Sequence, residues 1–386
     1  MNDVAPGEDS SLPDNQRFIA PATTGRTCPG TPSRSRMPSR AGTSDWADTS
    51  SRAGKSSRAR VVVITGASSG IGRCTAALFS RKGWQVGLVA RGGPGLDTLC
   101  QELVMAGGHA VAAIADVQDG AALERAAGIV EATLGPIDVW VNCAGNGVYG
   151  RFMDVPEREF REVTYVTYLG AVNGTRVALR RMRGRDAGTI VNVCSAIAFH
   201  GMPLLSSYSG AKYALRGFTA ALRGELRQEG SRVRVTTIFP PAVNTPFFSR
   251  AASHLLKPPR PMWPVYQPEV VADSIHLAAT SCRQEMQVGG VTVLFALGSK
   301  LVPWLVGRAI LRLGPAGQMT DSPAAARLQE PTLFAPSPNP SAVRGPFDAG
   351  AREFSVQMWA SRHRAALAGG LGLLAMGALA VRRWRR

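Results

Sequence analysis

RVVVITGASSGIG, residues 60–72, joins a short β-branched run to a glycine-rich turn, and the rest of the chain is best read outward from that junction. Val, Ile and Thr in succession suit a pleated, buried strand. Gly66, Gly70 and Gly72 let the backbone turn sharply and approach a ligand closely. The segment after Gly70 has helical spacing, so the turn opens a helix whose first N–H groups and positive dipole end favour an anion. Strand, glycine turn and helix in this order form a dinucleotide-binding loop, with Gly66, Ser68, Ser69, Gly70, Ile71 and Gly72 as candidate contacts.

Strand-like and helix-like segments alternate for about 240 residues beyond this point. Strands are expected at 61–65, 85–90, 110–115, 139–143, 189–193, 233–239 and 291–295. Helices are expected at 71–82, 96–106, 121–134, 157–183, 208–229 and 268–280. Because the strands are almost wholly apolar rather than alternating, both of their faces are expected to be buried, as in a parallel sheet. The fold class that follows is α/β: a doubly wound parallel sheet of Rossmann type, with about seven strands, over residues 59–298. Just past the second strand, nineteen positions after Gly72, stands Arg91. Folds of this kind that take NAD have an acid here for the ribose hydroxyl, whereas a guanidinium suits a 2′-phosphate. NADP is therefore expected in preference to NAD, the alternative for Arg91 being a solvated loop arginine.

With 386 residues, 45% of them hydrophobic and 18% charged, the chain buries a core and is not disordered throughout. Its 44 Lys and Arg against 27 Asp and Glu give +17, which fits nucleic acid, an anionic membrane or basic tails on an ordinary enzyme. Position along the chain decides among these. Residues 1–58 are rich in Ser, Pro, Gly and Arg without aliphatic clusters and read as a disordered basic tail. The opening residues lack the basic and apolar regions of a signal peptide. Residues 299–361 read as an irregular, amphipathic extension, in which 300–313 lies on a membrane or covers the substrate cleft, the alternative being that it simply packs on the domain. The final segment, 362–386, contains an uncharged run at 365–381 bracketed by arginines. As a helix this run reaches about 26 Å, the short end of a bilayer span, and it has no polar face. It reads as a C-terminal membrane anchor, the alternative being a helix buried against the domain or a partner subunit. The expected location is thus membrane-associated, with the catalytic domain facing the cytoplasm, and no nucleic-acid partner is expected. Six scattered cysteines, with no paired spacing and no nearby histidine, indicate neither a zinc site nor a disulfide framework.

Tyr208 and Lys212 stand four residues apart at the start of a helix, so phenol and ammonium share a face. An unperturbed tyrosine, with a pKa of about 10, is a poor base at neutral pH, and an adjacent cation lowers that value. Ser195 ends the strand TIVNVCS, where the carboxyl edge of the sheet faces a ligand crevice.

Together these residues resemble the short-chain dehydrogenase/reductase family over about residues 60–297. The landmarks are the glycine loop, Asp116-Val117, Asn142-Cys143-Ala144-Gly145, Ser195 with Tyr208 and Lys212, and the loop from Pro240 to Thr245. The resemblance implies reversible hydride transfer between a nicotinamide and a carbonyl or secondary alcohol. It makes Tyr208 the general acid/base and has Ser195 hydrogen-bond the substrate oxygen. Lys212 would hold the nicotinamide ribose and lower the tyrosine pKa. It also gives Asp116 and Val117 to the adenine and Asn142, Ala144 and Gly145 to the turn beneath the cofactor. Pro240, Val243 and Thr245 fall to the carboxamide side. One position departs from the pattern: Thr167 stands where the family has an asparagine holding a water that links the catalytic lysine to solvent. Phe199, Met202, Leu204, Leu205, Phe247, Phe248 and Trp263 follow the carboxyl edge and imply a lipophilic substrate. Pairing through the two long helices at 157–183 and 208–229, as a homodimer or homotetramer, is the family's habit.

Overall fold

The computed structural model describes Arg26, Thr27, residues 58–364 apart from Pro340, and isolated positions beyond. The disordered tail expected at 1–58 lies outside these residues except at two places. Arg58 is described, and Arg26–Thr27 forms a two-residue strand antiparallel to Val111 and Ala112. Most of the apolar run at 365–381 is likewise outside them. Among the described residues no helix is long and apolar enough to cross a membrane.

Seven parallel strands build the sheet: β1 (Val61–Thr65), β2 (Gln85–Ala90), β3 (Ala110–Ile114), β4 (Ile137–Asn142), β5 (Thr189–Val193), β6 (Arg234–Phe239) and β7 (Glu285–Gln287). Their order is β3-β2-β1-β4-β5-β6-β7, with the Arg26–Thr27 strand outside β3. The connecting helices are α1 (Gly70–Arg81), α2 (Pro94–Met105), α3 (Gly120–Leu134), α4 (Glu157–Thr164), α5 (Gly170–Arg183), α6 (Ser206–Gln228), α7 (Phe247–Arg250) and α8 (Pro268–Thr280). Every residue of β1 and β5 is buried, as expected for strands covered on both faces. One face packs Phe79, Leu88, Leu99 and Ile275 beneath α1, α2 and α8, and the other packs Leu123, Val130, Trp140 and Met182 beneath α3 and α5. Strand order reverses between β1 and β4, so a crevice opens there at the carboxyl ends.

Two expectations are corrected. Residues 291–295 are not the last strand: they lie in a helix, α9 (Gly290–Leu301), and β7 precedes them. A short β-branched run does not by itself distinguish strand from buried helix. Gly289, at φ +83° and packed against the Tyr266 ring, turns the chain out of the sheet before that run begins. The single helix expected at 157–183 is interrupted by a π turn, Tyr165–Leu169, which contains Thr167. There Gly170 passes so close to Val117 that a Cβ would lie 2.5 Å from its side chain.

The extension is folded onto the domain, and the boundary expected at 298/299 falls inside α9. A second helix, α10 (Pro303–Gly317), pairs with α9, and α11 (Pro323–Arg327) follows. Further on, Ala351–Arg352 pairs in parallel with Val265–Tyr266, which also pairs with Ala242–Val243. Helix α12 (Val356–Arg362) closes the described part. Cys100 is disulfide-bonded, which the scattered cysteine spacing did not announce. Cys74, Cys143, Cys194 and Cys282 are free.

Candidate active site

The crevice between β1 and β4 leads into a cavity of about 520 Å³. Its floor is the glycine loop. A Cβ on Gly72 would lie 2.2 Å from the Gly66 carbonyl oxygen, and one on Gly66 would lie 2.7 Å from Ala144 Cα. Only glycine permits this approach, so the loop sits tightly against the turn after β4 and presents the start of α1 to the cavity. Gly66, Ser68, Ser69, Gly70, Ile71, Gly72, Arg91, Asp116, Val117, Ala144, Gly145, Pro240, Val243 and Thr245 all line it.

Asn142 is the exception. Its Oδ1 accepts from Trp140 Nε1 at 2.8 Å, and its Nδ2 donates to Asn192 Oδ1 at 2.8 Å, to Thr175 Oγ1 at 3.0 Å and to the Ala171 carbonyl at 3.2 Å. With every polar atom used inside the sheet, Asn142 braces β4 against β5 and α5 and touches no ligand space. It acts on the Cys143–Gly145 turn from beneath.

Tyr208, Ser195 and Lys212 meet in the inner part of the same cavity. Helix α6 carries Tyr208 and Lys212 on one face, with the Lys212 Nζ 5.4 Å from the phenol ring centroid. Lys212 is buried and donates to the Val193 carbonyl at 2.9 Å, which fixes its ammonium at the end of β5. Ser195 follows that strand, accepts from the Ile197 N–H at 3.3 Å and stands beside the phenol, whose proton affinity its hydroxyl lowers. Phe247 covers the other side of the Tyr208 ring, at a centroid distance of 5.4 Å.

Burial dominates the electrostatics. Desolvation, and secondarily the neighbouring Cys194 thiol, push the Tyr208 phenol well above its ordinary range, with the Ser195 hydroxyl opposing. The lowering expected from Lys212 does not appear: the phenol is raised and holds its proton at neutral pH. Burial lowers the Lys212 ammonium from its usual value. The Cys143 thiol is pushed up to about 12 and that of Cys194 to about 11, both by burial, so neither is a thiolate nucleophile at neutral pH.

Thr167 is fully buried, and its hydroxyl donates to the Asn146 carbonyl at 3.1 Å and accepts from the Asn146 N–H at 3.2 Å. The Asn146 Oδ1 stands 3.3 Å from the same oxygen. Its Nδ2 is buried without a partner, and Asn146 lines the cavity. The sequence reading missed this residue, although it directly follows Gly145. Asn173, by contrast, is committed to the Val117 and Gln118 carbonyls.

The outer rim of the cavity is closed by the extension. Arg91 donates to the carbonyls of Thr332 at 2.6 Å, Leu333 at 3.0 Å and Ala335 at 3.3 Å. Gly70 N–H, the first of α1, donates to the Ala342 carbonyl at 3.1 Å. Leu333 is buried against Val148, Val163 and Ala252, while Glu330 braces Ser337 and Asn339 from within. Ser337, Asn339 and Ser341 thereby join the cavity wall, a contribution that no sequence motif marked. Among the apolar candidates, Met202, Leu205, Phe247, Phe248 and Trp263 line the cavity. Phe199 packs instead on Phe239, and Leu204 is not in the wall.

Comparison with known proteins agrees with this geometry. The family described as short chain dehydrogenase matches residues 60–255. An uncharacterized oxidoreductase of Bacillus subtilis, YxnA, is 36% identical over 279 residues, covering 71% of this chain and 78% of the relative. The 3-ketodihydrosphingosine reductase of Bos taurus is 34% identical over 197 residues, 49% of this chain and 58% of its own length. A short-chain dehydrogenase structure from Streptomyces avermitilis is 30% identical with a TM-score of 0.54, covering 65% of this chain and 99% of its own. Solved chains of the same fold hold NAD in one case and NADPH in another.

Proposed function

Because this chain belongs to the short-chain dehydrogenase family, and so is a nicotinamide-dependent oxidoreductase of C=O and CH–OH groups, we propose that it uses NADP to reduce a lipophilic ketone. The observation that carries this reading is the convergence of Tyr208, Ser195 and Lys212 on the cavity floored by the glycine loop.

The residues fit the cofactor. Gly66 and Gly72 let the loop close on its own backbone and on the Cys143–Ala144 turn, where any Cβ would collide, and the Ile71 and Gly72 N–H groups at the start of α1 suit a pyrophosphate. Asp116 would take the adenine end, Lys212 the nicotinamide ribose, and Pro240, Val243 and Thr245 the carboxamide. When bound, the nicotinamide supplies the hydride. Everything else falls to the chain. Ser195 donates a hydrogen bond to the substrate oxygen and holds the carbonyl beside the phenol. Tyr208 then gives its proton to that oxygen as negative charge develops there, and the neutral phenol favours the reductive direction. The nearby Lys212 charge stabilises the phenolate that remains. Thr167 and the unpartnered Asn146 Nδ2 hold the water through which the phenolate is reprotonated, in place of the single asparagine usual in the family.

NADP rather than NAD rests on Arg91, which lines the cavity and whose guanidinium, though it donates to the Thr332, Leu333 and Ala335 carbonyls, has further N–H groups that suit a 2′-phosphate. Met202, Leu205, Phe247, Phe248, Met262, Trp263 and Phe295 favour an apolar substrate, and a relative named as a 3-ketodihydrosphingosine reductase points the same way. We further propose that the catalytic domain faces the cytoplasm at a membrane, through the apolar run at 365–381, as a dimer or tetramer. Purified protein, given NADPH or NADH and a series of ketones of increasing chain length, tests the reading by nicotinamide absorbance. Faster turnover with NADPH and with longer chains is expected; no turnover with any ketone contradicts it.

A further inference from the structure

Helices α9 and α10 form a hairpin whose outer side is apolar and has no protein partner among the described residues. At its tip, residues 301–305 (LVPWL) are five consecutive exposed apolar residues, with Leu301 72% and Trp304 71% exposed. Leu294, Leu297 and Leu301 continue this surface along one face of α9, spaced by three and four residues. On α10, Leu311 and Leu313 are exposed while Ile310 and Gly314 turn inward. A contiguous surface of this kind is uncommon on a chain that meets only water. Its charge is one-sided as well. Residues 290–317 contain no Asp or Glu, and Lys300, Arg308 and Arg312 are all exposed. None of these three cations takes part in a salt bridge among the described residues.

We propose that this hairpin docks the chain on an anionic membrane surface, with the 301–305 tip entering the lipid and Lys300, Arg308 and Arg312 meeting the headgroups. An apolar tip bearing a tryptophan, flanked by cations, is the form that lies in a bilayer interface rather than spanning it. A second copy seated face to face would set three cations against three with no acid to neutralise them. An anionic headgroup layer accommodates the cations and the apolar tip together. The inner side of the hairpin reaches the catalytic cavity: Val291, Thr292 and Phe295 line it, and Gly314 packs on Met202. Docking therefore sets the roof of the cavity at the lipid surface. The inference deepens the membrane reading above, but it is measured without turnover, so failure of either leaves the other standing.

The test uses the full chain with phosphatidylcholine vesicles prepared with and without phosphatidylserine. Hydrogen exchange is expected to slow across 294–313 only when phosphatidylserine vesicles are present. The double variant Leu301→Asp/Trp304→Asp is expected to partition at least about tenfold more weakly while binding NADPH as the parent does. Should that variant not fold, Arg308→Gln/Arg312→Gln is expected to lose most of the phosphatidylserine dependence. Unchanged exchange at 294–313 with protection confined to the 365–381 run overturns the proposal. So does vesicle binding by the variants equal to that of the parent, including the case where the aspartates instead split a dimer.

Discussion

Tyr208 shows how burial and charge divide at a single residue. Its neighbour Lys212 was legible from a four-residue spacing, but the depth of the cavity was not, and it is depth that sets the phenol's proton affinity. Because the phenol lies above its ordinary range, reductive kcat/KM is expected to stay level from pH 7 to about 10 and to fall only beyond that. A pH–rate profile with a descending limb below pH 9 contradicts this. The same sign makes the fold less stable above about pH 10, where the unfolded phenol ionises and the buried one does not. Asn146 is the second lesson at this scale. The sequence pointed to Thr167 because a family position changed identity there. The compensating carboxamide lies twenty-one residues earlier in the chain and becomes visible only when the π turn brings the two together. Replacing Asn146 with alanine is expected to lower kcat about 10- to 100-fold, more strongly at low buffer concentration, with KM little changed. Steady-state kinetics against buffer concentration measures it, and an equal loss at all concentrations speaks for a merely structural role.

Among the elements, β1, β2, β5 and α8 were readable to the residue because their patterns are unbroken and their ends carry turn residues or proline. The 291–295 run misled because five β-branched and apolar residues satisfy both periods, and only the glycine before them decides. Gly72 makes a sharper test of the loop. With 2.2 Å between a new Cβ and the Gly66 oxygen, Gly72→Ala is expected to destabilise the fold by about 1–3 kcal/mol and to abolish nicotinamide binding. Thermal unfolding and NADPH fluorescence read the two effects. The segment from Glu330 to Gly345 was opaque to sequence reading, since its grip on Arg91 and Gly70 runs through its own backbone carbonyls, which no side chain announces. Loosening it with Leu333→Ala, which leaves a cavity beside Val148 and Val163, is expected to speed NADPH dissociation about tenfold in stopped-flow fluorescence. An unchanged off-rate means that the segment does not cover bound cofactor.

At the scale of the whole molecule, nine of the +17 charge excess sit on the cationic hairpin and the terminal arginines, only two on the N-terminal tail, and most of the remainder on the α/β core itself. That core sets the glycine loop, the phenol and the ammonium around one cavity, and the extension closes its rim. The central claim is that this cavity passes a proton from Tyr208 to a carbonyl as hydride is transferred. The most direct measurement is turnover by Tyr208→Phe beside the parent chain, with NADPH affinity determined on the same samples. The account predicts that affinity is retained while kcat/KM falls about 10²- to 10⁴-fold. Turnover equal to the parent, at equal NADPH affinity, would contradict it.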